Sequence, residues 1–284
     1  MNSGEAAINA LINSDASRDY LVISGKINRD LHYRLSNELD TKARNSSCTL
    51  FLTTYGGDPD AAFRIARCLQ HYYTSIRIVV TGFCKSAGTL ITLVGNEIAI
   101  GDLGELGPLD IQVNKGSELL EQSSGLDMNE ALQAVTEHIQ FTFHNILVKN
   151  REAGLSTKMA AELAAKVSTS ISAPLLSQLD PLRIGEMQRK TRIAFDYGEK
   201  LNGQSKILKD DGLESLVRNY PSHGFVIDRK EARSIFKHVD APNPSELTFF
   251  NFFSNIMTFP EKEKAFVELL CLTTDKQDDI SDEK

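Results

Sequence analysis

Ser86 stands in a run of small residues, Gly82-Phe83-Cys84-Lys85-Ser86-Ala87-Gly88-Thr89, that follows a β-branched stretch and opens a segment of helical periodicity. Upstream, Tyr55-Gly56-Gly57-Asp58 occupies the same kind of position after another β-branched run. A hydroxyl on a tight strand-to-helix turn stands clear of its neighbours, beside the unpaired N–H groups of the helix start. A second glycine turn alongside can aim another N–H at the same point. Acyl transfer requires this combination of a nucleophile with fixed donors for a developing oxyanion.

The elements that must hold these turns follow from hydrophobic period. Met1–Asp15 reads as a helix with an apolar side. Tyr20–Gly25 reads as a strand, Arg29–Arg44 as a helix, and Cys48–Thr54 as the strand that enters the first glycine turn. Asp58 is placed to cap a helix whose Ala62, Ile65, Ala66 and Leu69 recur at helical spacing. Ser75–Thr81 is a third strand leading into the Ser86 helix, where Gly88 lets helix and sheet approach closely. Glu97–Ile100 is a further strand, followed by the glycine-rich turn Gly101–Pro108 and then Leu109–Val113. Alternation of strand, glycine turn and helix predicts an α/β fold with largely parallel strands, in which functional groups collect beyond the strands' carboxyl ends. Both glycine blocks fall at such ends.

Helical patterns continue over Asp127–Lys149, Thr157–Val167, Pro181–Leu201 and Gly212–Arg218. A short strand is expected at Phe225–Ile227 and a last helix at Asp228–Lys237, with Asp228 as its cap. Pro242 and Pro244 mark a boundary. The expected organisation is an N-terminal helix (residues 1–18), an α/β domain (19–240) and a C-terminal extension (241–284) with an aromatic stretch and a charged tail.

The formal net charge of −7 provides no basic footprint for nucleic acid. No apolar run approaches the ~20 residues that span a bilayer, and the N-terminus lacks the pattern of a secretory signal. Cys48, Cys68, Cys84 and Cys271 lack metal or redox spacing, so reduced thiols, a cytoplasmic location and no metal are expected. Cys84 reads as a small buried side chain. His71, His138, His144 and His238 fit helix surfaces or ends.

Four blocks fall in a characteristic order: Tyr55-Gly56-Gly57-Asp58, Lys85-Ser86-Ala87-Gly88-Thr89, Glu105-Leu106-Gly107-Pro108-Leu109-Asp110 and Ser222-His223-Gly224-Phe225-Val226-Ile227. Together, over roughly Tyr20 to Val239, they resemble the serine dehydrogenase proteinase family, a branch of the Clp-type serine peptidases with the crotonase-like fold. The resemblance implies a spiral of ββα units, Ser86 as nucleophile, and the N–H groups of Gly57 and Ala87 as oxyanion hole, with Gly56 and Gly88 shaping the turns. It also implies a peptide or polypeptide substrate, no cofactor, assembly into a homo-oligomer, and room for a regulatory protein.

One departure concerns the base. Clp-type peptidases carry a histidine soon after the serine helix and an aspartate much later. Here Leu109-Asp110-Ile111-Gln112 lacks the histidine, and the later block supplies His223. A triad is defined by geometry and roles rather than chain order, so His223 is expected to take the proton from Ser86 while Asp110 orients the imidazole. A Ser–Lys dyad is the alternative. Lys85 is a poor base for its own serine, since successive side chains at a helix start diverge. It reads either as a solvated lysine or as a partner for an acidic group such as Glu105 or Asp110, and Lys115 and Lys149 are the remaining candidates. Two other function classes stay open: an inactive interaction protein with the same fold, and a coenzyme A-thioester crotonase.

Overall fold

The computed structural model describes residues 3–109, 113–114, 122–123, 125–261 and 264–272. Strand and helix alternate as the hydrophobic period requires: α1 (Ser3–Ser14), β1 (Arg18–Gly25), α2 (Arg29–Lys42), β2 (Ser47–Thr53), α3 (Pro59–Tyr72) and β3 (Ser75–Val80). β4 (Phe83–Cys84), α4 (Ala87–Thr92), β5 (Glu97–Ile100) and β6 (Glu105–Leu106) come next. They are followed by β7 (Val113–Asn114), β8 (Gln122–Ser123), α5 (Gly125–Glu152), α6 (Thr157–Leu176) and α7 (Pro181–Ser205). The last elements are α8 (Gly212–Arg218), α9 (Arg229–Ile235), β9 (Val239–Asp240), α10 (Pro244–Phe252), α11 (Ser254–Thr258) and β10 (Ala265–Leu270).

The chain divides into two compact units, one of Met1–Leu109 with Ala194–Lys284 and the other of Asp110–Ile193. The first holds a six-stranded mixed sheet in the order β10-β1-β2-β3-β5-β9. β1, β2, β3, β5 and β9 run parallel, and β10 pairs antiparallel with β1. The central strands are apolar almost throughout because both sheet faces are covered. On one face Tyr20, Val22, Phe51 and Val79 pack with Leu11 of α1 and with Phe249 and Met257 of α10 and α11. The alternate residues Leu21, Leu50 and Ile78 point to the other face and are fully buried there, as are the inward stripes of α2 and α3.

Within the stretch that the sequence presents as an extension, residues 244–258 contribute α10 and α11 and residues 265–270 contribute β10 to this unit. Backbone carbonyls of α11 accept from strand hydroxyls: Ser24 Oγ to Ile256 O at 2.7 Å and Thr53 Oγ1 to Met257 O at 2.8 Å. Arg77 of β3 meets the buried Glu246 of α10 at 2.7 Å. The aromatic stretch is thus a cover for the sheet, with Phe249 centred 4.9 Å from the Phe51 ring. The expected strand at Phe225–Ile227 reduces to one bridge, Ile227 opposite Leu106.

In the second unit α5 and α6 pack side by side. Ser156 caps α6 by accepting from Met159 N. No helix among the described residues is long and apolar enough to cross a membrane.

Candidate active site

The first glycine turn is built by pairing on both of its edges. Thr54 N donates to Phe83 O at 2.7 Å and Lys85 N donates to Thr54 O at 3.0 Å, which ties the end of β2 to the chain entering Ser86. On the other edge, Ile27 N donates to Gly56 O at 3.0 Å and Asp58 N donates to Ile27 O at 2.9 Å. The Gly56–Gly57 peptide is trans, so with its carbonyl on Ile27 its N–H points away from Ile27. Gly57 has φ +149°, and a Cβ there would stand 2.1 Å from Ile27 O, so only glycine fits. The Thr54 hydroxyl fixes the turn from inside by accepting from Gly56 N at 2.9 Å. Asp58 then caps α3, as its sequence position predicts.

Ser86 meets this turn at close range. A Cβ on Gly56 would lie 3.1 Å from Ser86 Cβ, 3.0 Å from Lys85 O and 3.5 Å from Ala87 N. Ser86 itself is held at φ +50°, ψ −112°, a region that costs a non-glycine residue about 1–3 kcal/mol. It occupies the N-cap position of α4, yet its side chain does not cap the helix. Ala87 supplies the first N–H of α4. Among the described residues, neither Gly57 N nor Ala87 N donates to a backbone carbonyl. Gly88 is required by packing, since a Cβ there would stand 2.4 Å from Thr54 Cγ2. The two turns therefore meet at Ser86, with the Ala87 N–H of α4 beside Gly56.

Lys85 organises the next layer. Its ammonium is 2.8 Å from Glu105 Oε1 and donates to Leu106 O and Phe225 O, each at 3.1 Å. Three N–H bonds meet three acceptors, so the donors of this side chain are taken up by Glu105 and two backbone carbonyls. Its side chain passes Gly107, where a Cβ would come within 2.7 Å of Lys85 Cδ. Thr89 Oγ1 donates to Gly107 O at 2.8 Å, holding the same loop to α4.

His223 is half-buried in a turn closed by Phe225 N donating to Ser222 O. That turn is tied to the Ser86 region through Phe225 O on Lys85 and through the Leu106–Ile227 bridge. Tyr220 packs on the Phe225 ring at 4.7 Å and donates to Glu231 at 2.9 Å, bracing the segment from behind. Asp110 and Lys115 lie outside the described residues, and Lys149 is exposed on α5. Cys84 is fully buried, and its thiol is driven far above the ordinary range by that burial, against a smaller opposing effect of Lys85. Among the described residues no cluster of histidine, cysteine or carboxylate side chains could hold a metal ion.

Sequence reasoning named Lys85, Glu105 and the glycines but not Thr54 or Thr89 in these bracing roles. Thr54 carried a readable signal, a hydroxyl two residues before a glycine turn. The Phe225 carbonyl carried none, because any residue supplies one.

Residues 5–99, from α1 into β5, match the Clp protease family. This stretch contains Gly57 and Ser86 but not His223. None of the curated proteins compared with the chain matches it. Among solved structures, a mutant of the 1510-N membrane-bound stomatin-specific protease is 19% identical with TM-score 0.29, over 50% of this chain and 66% of that one. Another mutant of that protease, in complex with a substrate peptide, is 20% identical with TM-score 0.30, over 50% and 62%. A ClpP1 mutant from Listeria monocytogenes is 18% identical with TM-score 0.27, over 56% and 82%. The chain thus spans just under two thirds of the stomatin-specific protease chains.

Proposed function

We propose that the chain is a serine peptidase that cleaves peptides or unfolded polypeptide through an acyl-enzyme on Ser86, and that it is of the serine dehydrogenase proteinase type. Ser86 Oγ attacks the scissile carbonyl carbon as its proton passes to His223, which Asp110 orients. The negative charge that develops on the carbonyl oxygen is received by the N–H groups of Gly57 and Ala87. The tetrahedral adduct collapses, the imidazolium gives its proton to the departing amine, and the acyl group stays on Ser86 until water, deprotonated by His223, releases it.

The observation that supports this reading is the contact of the Gly56-Gly57 turn with Ser86 and with the Ala87 N–H that opens α4. Fixed donors at the site of developing charge are commonly worth about 3–4 kcal/mol each in the barrier. The strained φ of Ser86 fits a residue held in place for its side chain rather than for the helix. The full pairing of Lys85 favours His223 over this neighbouring lysine as base. Assembly into a homo-oligomer in the cytoplasm, open to a regulatory protein, belongs to the same proposal.

The test is hydrolysis of casein and of a fluorogenic peptide library by the full chain and by Ser86→Ala, His223→Ala and Asp110→Asn. The proposal expects loss of turnover in the first two and a smaller loss in the third. Hydrolysis of an acyl-coenzyme A with no peptide turnover would transfer the chain to the thioester class. No turnover of either, in the folded protein, would favour the inactive interaction protein.

A further inference from the structure

A groove of about 490 Å³ lies between α2 and α3 and is lined by His32 and Ser36 on one helix and Arg64, Arg67, Cys68 and His71 on the other. The residues fall on facing stripes, three or four apart along each helix, so side chains from both helices face the same space. No aspartate or glutamate lines it. The carboxylates near these residues in sequence are engaged elsewhere: Asp30 pairs with Arg34 at 2.9 Å, Glu38 with Lys42 at 2.7 Å, and Asp58 and Asp60 face Arg29 at 3.6 and 3.9 Å, Asp60 also accepting from Tyr197 at 2.7 Å. Asp40 accepts from the Tyr72 hydroxyl at 3.4 Å, at the rim.

Arg64 makes no ion pair among the described residues, and Arg67 has only a long 3.4 Å contact to the Gln70 amide oxygen. Two guanidinium groups thus stand open beside two imidazoles and a hydroxyl in a chain whose net charge is −7. The positive potential reaches His32, which is held below the usual imidazole range first by burial and then by Arg64 and Arg29.

We propose that this groove binds a small phosphate-bearing anion, gripped by the guanidinium groups of Arg64 and Arg67 with His32, His71 and Ser36 as further donors. Guanidinium presents its N–H groups in a planar fork that matches two phosphate oxygens at once. A dianionic phosphate gains more than a single carboxylate from two such forks. The volume leaves room for more than one phosphate group, and Phe63 and Tyr72 offer apolar edges to whatever the phosphate is attached to.

The probe is inorganic pyrophosphate, titrated calorimetrically into the full chain at constant ionic strength. One-site binding is expected, weakened at least tenfold in Arg64→Gln/Arg67→Gln and unchanged in Ser86→Ala. Both arginines are exposed, so circular dichroism should report an intact fold in the double variant. A second readout needs no variant: the imidazole nitrogen resonances of His32 and His71 should both move with pyrophosphate. Absence of binding, equal binding by the double variant, unmoved imidazoles, or citrate binding as tightly as pyrophosphate would each overturn the proposal.

Discussion

The position where Gly56 would carry a Cβ lies 3.1 Å from Ser86 Cβ, so the first glycine turn and the serine turn are in contact with nothing between them. Gly56 also has φ +104°, where an L side chain is strained. Gly56→Ala is expected to cost about 2 kcal/mol in urea denaturation. It should also push Ser86 away from the N–H pair and slow its acylation about a hundredfold, the scale of a 1 Å displacement at a reacting group. A stability loss without slower acylation would mean that the contact only fills space.

The Lys85–Glu105 pair is predicted to hold the His223 turn against the Ser86 turn. Its side chains retain 10% and 20% exposure, so some screening remains. Lys85→Met should therefore cost about 2–3 kcal/mol, somewhat less than a fully buried pair would lose. Hydrogen exchange should accelerate at the Ile227 amide, whose bridge to Leu106 lies beside the lysine. Lys85→Met/Glu105→Leu should recover part of the loss, because no uncompensated charge stays behind.

Ser86 pays for its backbone conformation, and that cost is measurable apart from chemistry. Ser86→Gly should be about 1 kcal/mol more stable than Ser86→Ala, since glycine adopts φ +50° without strain. Equal stabilities in thermal melts would show that the turn carries no strain.

Cys84, although two residues from Ser86, should be inert. Burial raises its pKa, so the thiol stays protonated as pH rises through neutrality and well into the alkaline range. Native-state alkylation at pH 8 should modify the exposed Cys271 and spare Cys84. Cys84→Ala should leave acylation of Ser86 within a few-fold while costing about 1 kcal/mol of packing.

The parallel sheet and both glycine turns were legible because glycine and β-branched residues act locally. Gly57, Gly88 and Asp58 take the positions that their sequence context implies. β10 was not legible. Ala265–Leu270 is a short apolar run whose pairing with β1 depends on a partner more than two hundred residues away. The same holds for α10 and α11, whose aromatic residues could equally have faced another molecule. At the site, the Lys85–Glu105 pair was only one of the readings that the sequence left open for this lysine, because a side chain that long reaches several acidic groups or solvent equally well. The anchoring of the His223 turn could not be read, because backbone carbonyls do the anchoring and every sequence offers those.

The central claim is that Ser86 is a nucleophile activated by His223. Intact-mass and peptide-mapping analysis of the full chain after fluorophosphonate treatment tests it most directly. The account predicts one adduct, on Ser86, absent in Ser86→Ala and reduced by orders of magnitude in a folded His223→Ala variant. Full labelling of His223→Ala would reject the histidine as base, and an unlabelled Ser86 in the unaltered chain would contradict the claim itself.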